Sequence, residues 1–258
     1  MQWDVTLLES VDSTNSYAKN LAIEGAKEGT VIIAETQKNG RGRLGRVWDS
    51  ADGKGIWMSL ILRPSISPQS MLIITQAASV AIINALTETV GVNAFIKWPN
   101  DIMISNKKLC GILTEMSAEA DLVNYVILGV GINIYHSKED FSDGIKDKAI
   151  SLQMYQDMNK EDIIKSKMFK PIERDQLISS ILMNIEDQYK KVIEGKSEEI
   201  LTDWKRHSLM LDKRITFEKD NCYITGVVQG ISNNGGLIVV CDSGIRHEVI
   251  YGEITLQS

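Results

Sequence analysis

The most constraining feature of the sequence is a run of four apolar segments between residues 94 and 135, joined by very short connections. The segments read AFIKW, DIMIS, KLCGILTEMS and DLVNYVILGVGINIY, at 94–98, 101–105, 108–117 and 121–135. Each is predicted to be a strand. A crossover helix needs a dozen residues or more, so strands this close must pair antiparallel. The sequence therefore predicts a largely antiparallel sheet in the middle of the chain.

The segments on either side of this run add further strands and helices. Strands are predicted at 3–11, 30–36 and 55–63, and helices at 12–26, 68–90 and 173–194. The stretch 136–172 is polar and is predicted to be irregular. Strands and helices in this arrangement favour an α+β fold, in which a mixed, largely antiparallel sheet carries helices packed on one face.

The pattern changes after Lys213, where short β-rich segments alternate with Gly- and Asn-rich turns. Such spacing is typical of a small all-β barrel. We therefore predict two domains, a large one at 1–210 and a small barrel at 211–258.

Composition and charge exclude several classes of protein. The chain has a formal net charge of -6 and a pI near 5.2, which argues against a general nucleic-acid or membrane-surface protein. Its three cysteines include no CxxC pair, which suits a reducing compartment. The first residues lack the pattern of a signal peptide, and the most apolar run is interrupted by polar residues. We predict a cytoplasmic protein without a membrane segment.

Residues 40–48, GRGRLGRVW, concentrate positive charge in an otherwise acidic chain. Glycines let backbone amides approach a ligand closely, guanidinium groups offer paired donors to phosphate or carboxylate, and Trp48 offers a ring for stacking. Ordering such a loop costs about 1–2 kcal/mol per residue, so it is expected to be mobile when empty and to order around an anion. The alternatives are a solvated basic loop or an RNA-binding patch.

Two further stretches carry polar residues at strand ends. In KWPND, Lys97 ends an apolar strand, where a lysine is expensive to bury without a counter-charge. Lys97 extending to solvent is the alternative, and Asp101 suits either a turn or a magnesium site. In GVGIN, glycines permit close backbone approach before Asn133, although strand glycines often mark only a bulge.

The stretch DSTN at 12–15 has two interpretations. It is a good helix N-cap, but a cap needs only one side-chain oxygen, and here four polar side chains stand in a row. With Gln37 at the exit of a buried strand, they suit a small group that both donates and accepts hydrogen bonds, such as a urea or an amide.

The four stretches DSTN, GRGRLGRVW, KWPND with KKLCGIL, and GVGIN, in this order and spacing, resemble the biotin–protein ligases over essentially the whole chain. The resemblance implies a class II synthetase-like sheet followed by an SH3-like barrel. It also implies a two-step reaction. Biotin and ATP form biotinyl-5′-AMP and pyrophosphate, and a lysine of a biotin carboxyl carrier domain then takes the biotinyl group and releases AMP.

The resemblance also implies roles for individual residues. Those it places at biotin are Ser13, Thr14, Asn15, Gln37, Arg41, Gly42, Arg43, Lys97 and Gly111. Those it places at ATP or the adenylate are Arg41, Arg43, Arg46, Trp48, Lys97, Asn100 and Asn133. Within these sets, Ser13, Thr14 and Gln37 face the ureido ring and Trp48 covers the adenine. Lys97 and Arg43 are the catalytic cations, which act electrostatically.

The implied ligands are biotin and ATP, with Mg²⁺ arriving with ATP and no metal site of the protein's own. The implied partner is the carrier domain of a biotin-dependent carboxylase or decarboxylase. Because DSTN begins at residue 12, we expect the short class of ligase without a DNA-binding module. A homodimer is left open. Two other functions also remain open, a lipoate-type acyl–protein ligase and a non-catalytic module that senses biotin.

Overall fold

The computed structural model describes residues 1–160, 170–220 and 222–257. The strands of the large domain are β1 Asp4–Val11, β2 Thr30–Gln37, β3 Gly55–Leu62, β4 Phe95–Lys97, β5 Asp101–Ile104, β6 Lys107–Glu119 and β7 Leu122–Asn133. The helices described are α1 Thr14–Ile23, α2 Met71–Thr89, α3 Leu152–Met158, α4 Arg174–Ile193 and α5 Ser197–His207. The C-terminal strands are β8 Arg214–Lys219, β9 Cys222–Ile231, β10 Leu237–Cys241, β11 Arg246–Val249 and β12 Ile254–Leu256.

The large domain is built on a seven-stranded mixed sheet in the order β1-β2-β3-β7-β6-β5-β4. The strands β4 to β7 pair antiparallel in sequence order, which confirms the prediction from their short connections. The pair β1–β2 is parallel, and α1 provides the crossover between them. Gly111 on β6 lies opposite Gly131 on β7, so two residues without side chains stand side by side on the sheet.

The sheet carries helices on both faces, which corrects one detail of the predicted fold. Helices α2, α4 and α5 share one apolar cluster with Val31 and Ile33 of β2, as predicted. Helix α1 packs in a separate cluster with Ile32 and Ile127. Successive strand residues point to opposite faces, so Ile32 and Ile33 belong to different layers. The prediction of helices on one face is therefore wrong for α1, whose position follows from the β1–β2 crossover.

Helix α2 is the central core helix. The segment Pro68–Thr89 is long and apolar enough to cross a membrane by length and composition alone, but 72% of its most apolar stretch is buried inside the protein. Its Ile73, Ile82 and Leu86 lie in the main cluster beside α4. Burial on this scale indicates a core helix, as the polar interruptions of the segment predicted.

The C-terminal strands form a five-stranded antiparallel sheet in the order β11-β10-β9-β8-β12. This sheet shares the main core, since Ile215 and Phe217 belong to the same cluster as Trp98. The Trp98 indole nitrogen donates to the carbonyl of Gly235 at 3.0 Å. A hydrogen bond and shared apolar packing thus connect the small all-β unit directly to the KWPND stretch.

The described part of the segment 136–172 is more ordered than its polarity predicted. Helix α3 begins after Ser151, whose hydroxyl accepts from the Met154 amide at 3.0 Å and so caps the helix. Residues 161–169, which the same prediction included, lie outside the described residues.

Candidate functional site

A cavity of about 530 Å³ opens between the start of α1, the loop 40–48, strands β6 and β7, and the turn before β12. Every site residue predicted from the sequence lines this cavity: Ser13, Thr14, Asn15, Gln37, Arg41, Gly42, Arg43, Arg46, Trp48, Lys97, Asn100, Gly111 and Asn133. The fold therefore gathers four distant stretches at one place. Their individual roles stay predictions.

One end of the cavity is lined by uncharged polar groups at the start of α1. The backbone amide and the hydroxyl of Thr14 both donate to Gln37 Oε1, at 2.8 and 3.0 Å. The Ser13 hydroxyl accepts from the Ser16 amide and caps α1. DSTN is therefore an N-cap and a cavity wall at once. The N-cap interpretation is confirmed, and the binding of a urea or an amide by this stretch stays a prediction.

Asn15 is fixed from several sides by residues that the sequence analysis missed. The Ser59 hydroxyl lies 2.6 Å from Asn15 Oδ1, and Asn15 Nδ2 donates to Glu115 Oε2 at 2.9 Å. A Cβ at Gly129 would stand only 2.1 Å from Asn15 Oδ1. Ser59 had a detectable signal, because it is the one hydroxyl residue in the otherwise apolar strand GIWMSLIL.

The basic loop folds as a small hairpin. Arg41 and Val47 form a β-bridge, and the Trp48 amide donates to the Gly40 carbonyl at 2.8 Å. Leu44 and Val47 are 71% and 77% exposed, so Trp48 is the one large apolar side chain of the loop that gains from burial. Apolar packing alone therefore does little to hold the loop in place.

Each arginine of the loop has a partner elsewhere in the protein. Arg41 pairs with Glu115 at 2.9 Å. Arg43 donates to Asn100 Oδ1 and to the Gly252 carbonyl, both at 3.0 Å. Arg46 forms an ion pair with Glu253. These contacts offset part of the ordering cost and connect the loop to the C-terminal unit. The predicted mobility of the empty loop stays a prediction.

Trp48 lies flat against the two facing glycines of β6 and β7. A Cβ at Gly111 or Gly131 would come within 2.7 Å of its ring. Trp57 contacts it edge-on, with ring centroids 6.3 Å apart, and the Lys108 ammonium lies 5.2 Å from the ring centroid. The glycines predicted to permit close backbone approach therefore form a slot for a flat ring.

Three lysines line the cavity, Lys97, Lys108 and the exposed Lys148, and the first two differ in their contacts. Lys97 is half-buried and has no ion pair or hydrogen bond to any residue that the structure describes. Lys108 pairs with Asp101 at 2.6 Å. Lys108 was not among the predicted site residues, although it stands in the quoted KKLCGIL motif. Lys108 therefore has a counter-charge, and Lys97 has none among the described residues.

Two asparagines of the predicted nucleotide site are partly engaged by the backbone. Asn100 Nδ2 donates to the Ile112 carbonyl at 2.7 Å, while its oxygen accepts from Arg43. Asn133 Nδ2 donates to the Ile150 carbonyl at 3.1 Å. Both side chains are thus held in fixed orientations at the cavity wall.

Burial changes the pKa of Arg43, which lines the cavity, and of Cys110, which precedes the lining residue Gly111 on β6. It lowers the pKa of Arg43, with nearby Asp101 and Glu253 acting in the opposite direction. Burial also raises the pKa of the Cys110 thiol far above its ordinary range. Cys110 therefore stays a protonated, buried small side chain.

His136 packs behind the Trp48 slot and predicts a pH dependence of stability. It is fully buried, stacks on Phe141 at 4.8 Å, and neither ring nitrogen has a partner among the described residues. Burial lowers its pKa from 6.5 to about 4, against opposing effects of Asp140 and Asp49. Between pH 6.5 and pH 4 the imidazole is protonated in the unfolded chain but still neutral in the folded protein. The free energy of unfolding should therefore fall by about 1.4 kcal/mol per pH unit on acidification.

Urea unfolding of the protein and of His136→Phe at pH 7.5 and pH 5 measures this effect. The phenylalanine variant keeps an aromatic ring for stacking but has no group to titrate. His207, whose pKa burial also lowers, is present in both proteins and cancels in the comparison. Equal losses of stability in the two proteins would contradict the assignment to His136.

Comparison with known proteins identifies relatives along almost the whole chain. The biotin/lipoate A/B protein ligase family matches residues 7–133, and the biotin protein ligase C-terminal domain matches 210–256. The bifunctional ligase/repressor BirA of Bacillus subtilis is 38% identical over 92% of this chain and 69% of that relative. The biotin–[acetyl-CoA-carboxylase] ligase of Mycobacterium tuberculosis is 27% identical over 92% of this chain and 83% of that relative.

A solved structure shares the complete architecture. The biotin protein ligase from Aquifex aeolicus in complex with biotin and ATP superposes with a TM-score of 0.78 at 28% identity, over 98% of each chain. The resemblance seen in the ordered sequence motifs is therefore confirmed by overall sequence similarity and by fold. This chain belongs to the biotin/lipoate A/B protein ligase family and is a biotin protein ligase.

Proposed function

We propose that this ligase forms biotinyl-5′-AMP in the cavity and then passes the biotinyl group to a lysine of a biotin carboxyl carrier domain. In the first step a biotin carboxylate oxygen attacks the α-phosphorus of ATP, and pyrophosphate leaves. In the second step the acceptor amine attacks the acyl carbon, and AMP leaves. The observation that carries the proposal is that one cavity joins an uncharged polar end to a cationic end.

The polar end suits the ureido ring of biotin. Ser13, Thr14 and Gln37 supply both donors and acceptors there, and all of them line the cavity. Rigid donors and acceptors suit a urea because its carbonyl accepts while its two N–H groups donate. Asn15 and the backbone of Gly111 stand beside them.

The cationic end suits two anions that have to meet. Arg43, Lys97 and Lys108 line the cavity around the Trp48 slot. Carboxylate and phosphate repel one another, so a cation between them lowers the barrier, most strongly where water is excluded. We assign this role to Lys97 and, from its position beside Trp48, also to Lys108. Trp48 and Asn133 would contact the adenine, and Arg41 and Arg46 would complete the closed loop.

Several finer points belong to the same proposal. Mg²⁺ would arrive with ATP and neutralise part of its phosphate charge, and Asp101, which lines the cavity, would be a candidate ligand. The acceptor is a carrier domain of a biotin-dependent carboxylase or decarboxylase, in the cytoplasm. We place the domain boundary between residues 210 and 211, which the family match at 210–256 and the start of β8 support. Whether the protein forms a homodimer stays open.

Incubation with radiolabelled ATP and either biotin or lipoate tests the reaction. Labelled adenylate or AMP with biotin, and not with lipoate, is the expected result, because the polar end matches a ureido ring that lipoate lacks. Turnover with lipoate alone would favour a lipoate-type ligase. Tight biotin binding without any turnover of ATP would favour a biotin-sensing module.

Arg43→Gly tests whether the loop retains the adenylate. Arg43 connects the loop to Asn100 and Gly252, so its loss should open the cavity. A charge-assisted contact contributes about 1.5–3 kcal/mol, so adenylate should dissociate about 10- to 150-fold faster. Stopped-flow dilution of the preformed adenylate complex measures this rate, and an unchanged rate would contradict the assigned role.

A further inference from the structure

A chain of hydrogen bonds through residues at the polar end of the cavity connects the two ends of the basic loop. The path leaves the loop at the Trp48 carbonyl, which accepts from Ser50, whose hydroxyl accepts from Gln37. Thr14, Ser59 and Asn15 continue it, with contacts of 2.6–3.0 Å. The Asn15 amide then donates to Glu115, and Glu115 accepts from Arg41 of the loop. The path therefore closes into a ring.

Three members of this ring, Ser50, Ser59 and Glu115, do not line the cavity, and two of them, Ser59 and Glu115, contact Asn15 directly. Ser59 is fully buried. The Glu115 side chain is 24% exposed, and neither residue lines the cavity. Their polar atoms nevertheless hold residues that do line it, namely Thr14, Asn15 and Arg41. A substrate in the cavity would thus meet groups whose positions these two residues set.

We propose that Glu115 is a positioning residue for biotin binding. Glu115 holds Arg41 of the basic loop beside Asn15 at the polar end of the cavity, and Ser59 is the second residue that supports this end. The proposal rests on the proposed function. The shortest contacts of Glu115 use different oxygens, Oε1 with Arg41 and Oε2 with Asn15, each at 2.9 Å, and a second nitrogen of Arg41 donates to Oε2 at 3.4 Å. One carboxylate thereby fixes the distance between the loop and the polar site before the nucleotide takes part.

Glu115→Gln isolates the contact with Arg41. The glutamine oxygen can still accept from Asn15, but the charge that pairs with Arg41 is lost. A partly exposed ion pair contributes up to about 1 kcal/mol, so we expect biotin to bind about 5-fold more weakly in calorimetry without ATP. Glu119→Gln is the matched control, since it removes the same charge from an exposed position on the same strand.

A double-mutant cycle with Arg41→Ala separates positioning from general stability. If Glu115 acts through Arg41, Glu115→Gln has no further effect on biotin affinity in the Arg41→Ala background. The same loss in both backgrounds, or unchanged affinity in Glu115→Gln alone, overturns the proposal. If the unaltered protein fails to bind biotin, the proposed function falls first, and this inference falls with it.

Ser59→Ala tests the second support. It removes the hydroxyl that contacts both Thr14 and Asn15, and because this hydroxyl has one proton to donate, the loss of one hydrogen bond of about 0.5–1.5 kcal/mol predicts about 2- to 10-fold weaker biotin binding. Ser79→Ala is the control, because Ser79 is equally buried and donates to the Thr75 carbonyl within α2. Equal biotin affinity in the two variants overturns the role of Ser59.

Discussion

Alanine in place of Lys97 or of Lys108 is expected to slow biotinyl-adenylate formation by about 10²–10³-fold, the usual cost of removing a charged donor from a water-excluded transition state. Both ammonium groups line the cationic end of the cavity. Lys97 has no ion pair among the described residues, so its charge is available to the reacting anions. Release of pyrophosphate with biotin and ATP measures the rate.

Lys107→Ala is the matched control for both variants. Lys107 precedes Lys108 on β6 but does not line the cavity, so its loss should leave the rate almost unchanged. Near-normal pyrophosphate release by Lys97→Ala would remove Lys97 from its assigned role. If Lys108→Ala alone lost activity, the electrostatic role would pass to Lys108. Circular dichroism and thermal unfolding establish that each variant is folded.

Gly129→Ala is expected to weaken biotin binding by about 5- to 150-fold, because a displaced Asn15 would lose two hydrogen bonds of about 0.5–1.5 kcal/mol each. The new Cβ would lie 2.1 Å from Asn15 Oδ1. Strand β7 cannot yield easily, because Gly129 is paired with Ser59 of β3 on one side and with Leu113 of β6 on the other. Asn15 would have to move away from its partners.

Calorimetric titration with biotin measures the effect of Gly129→Ala. Gly230→Ala is the control, since Gly230 also lies in a strand and a Cβ there would meet nothing within 4 Å. The control should bind biotin normally. Near-normal affinity in Gly129→Ala would contradict the tight placement of Asn15 against the sheet.

Much of the fold was predictable from local pattern. The short connections between residues 94 and 135 required antiparallel pairing, and the observed sheet has it. The position of α1 was not predictable in the same way. Residues Ile32 and Ile33 are both buried and apolar, so composition does not reveal that they face different layers.

The candidate site, like the fold, was only partly predictable from the sequence. Glycines, arginines and polar residues in unusual runs drew attention to 12–15, 40–48, 97–101 and 129–133, and all of these stretches reach the cavity. Ser59 and Glu115 were not predicted as site residues, because a single polar residue in a strand does not reveal which residues it contacts. Their importance comes from partners such as Asn15, which lies 44 and 100 residues away in the chain.

The sequence by itself determined the class of fold, the family and the set of chemical groups available for an adenylate-forming reaction, because strand spacing and ordered motifs are local properties of the chain. Tertiary structure alone decided which groups meet: the pairing of Lys108 with Asp101, the slot for Trp48 between Gly111 and Gly131, and the ring that closes at Glu115. Such contacts depend on distances of a few ångströms between segments far apart in the chain, and they exist only once the sheet has brought those segments together.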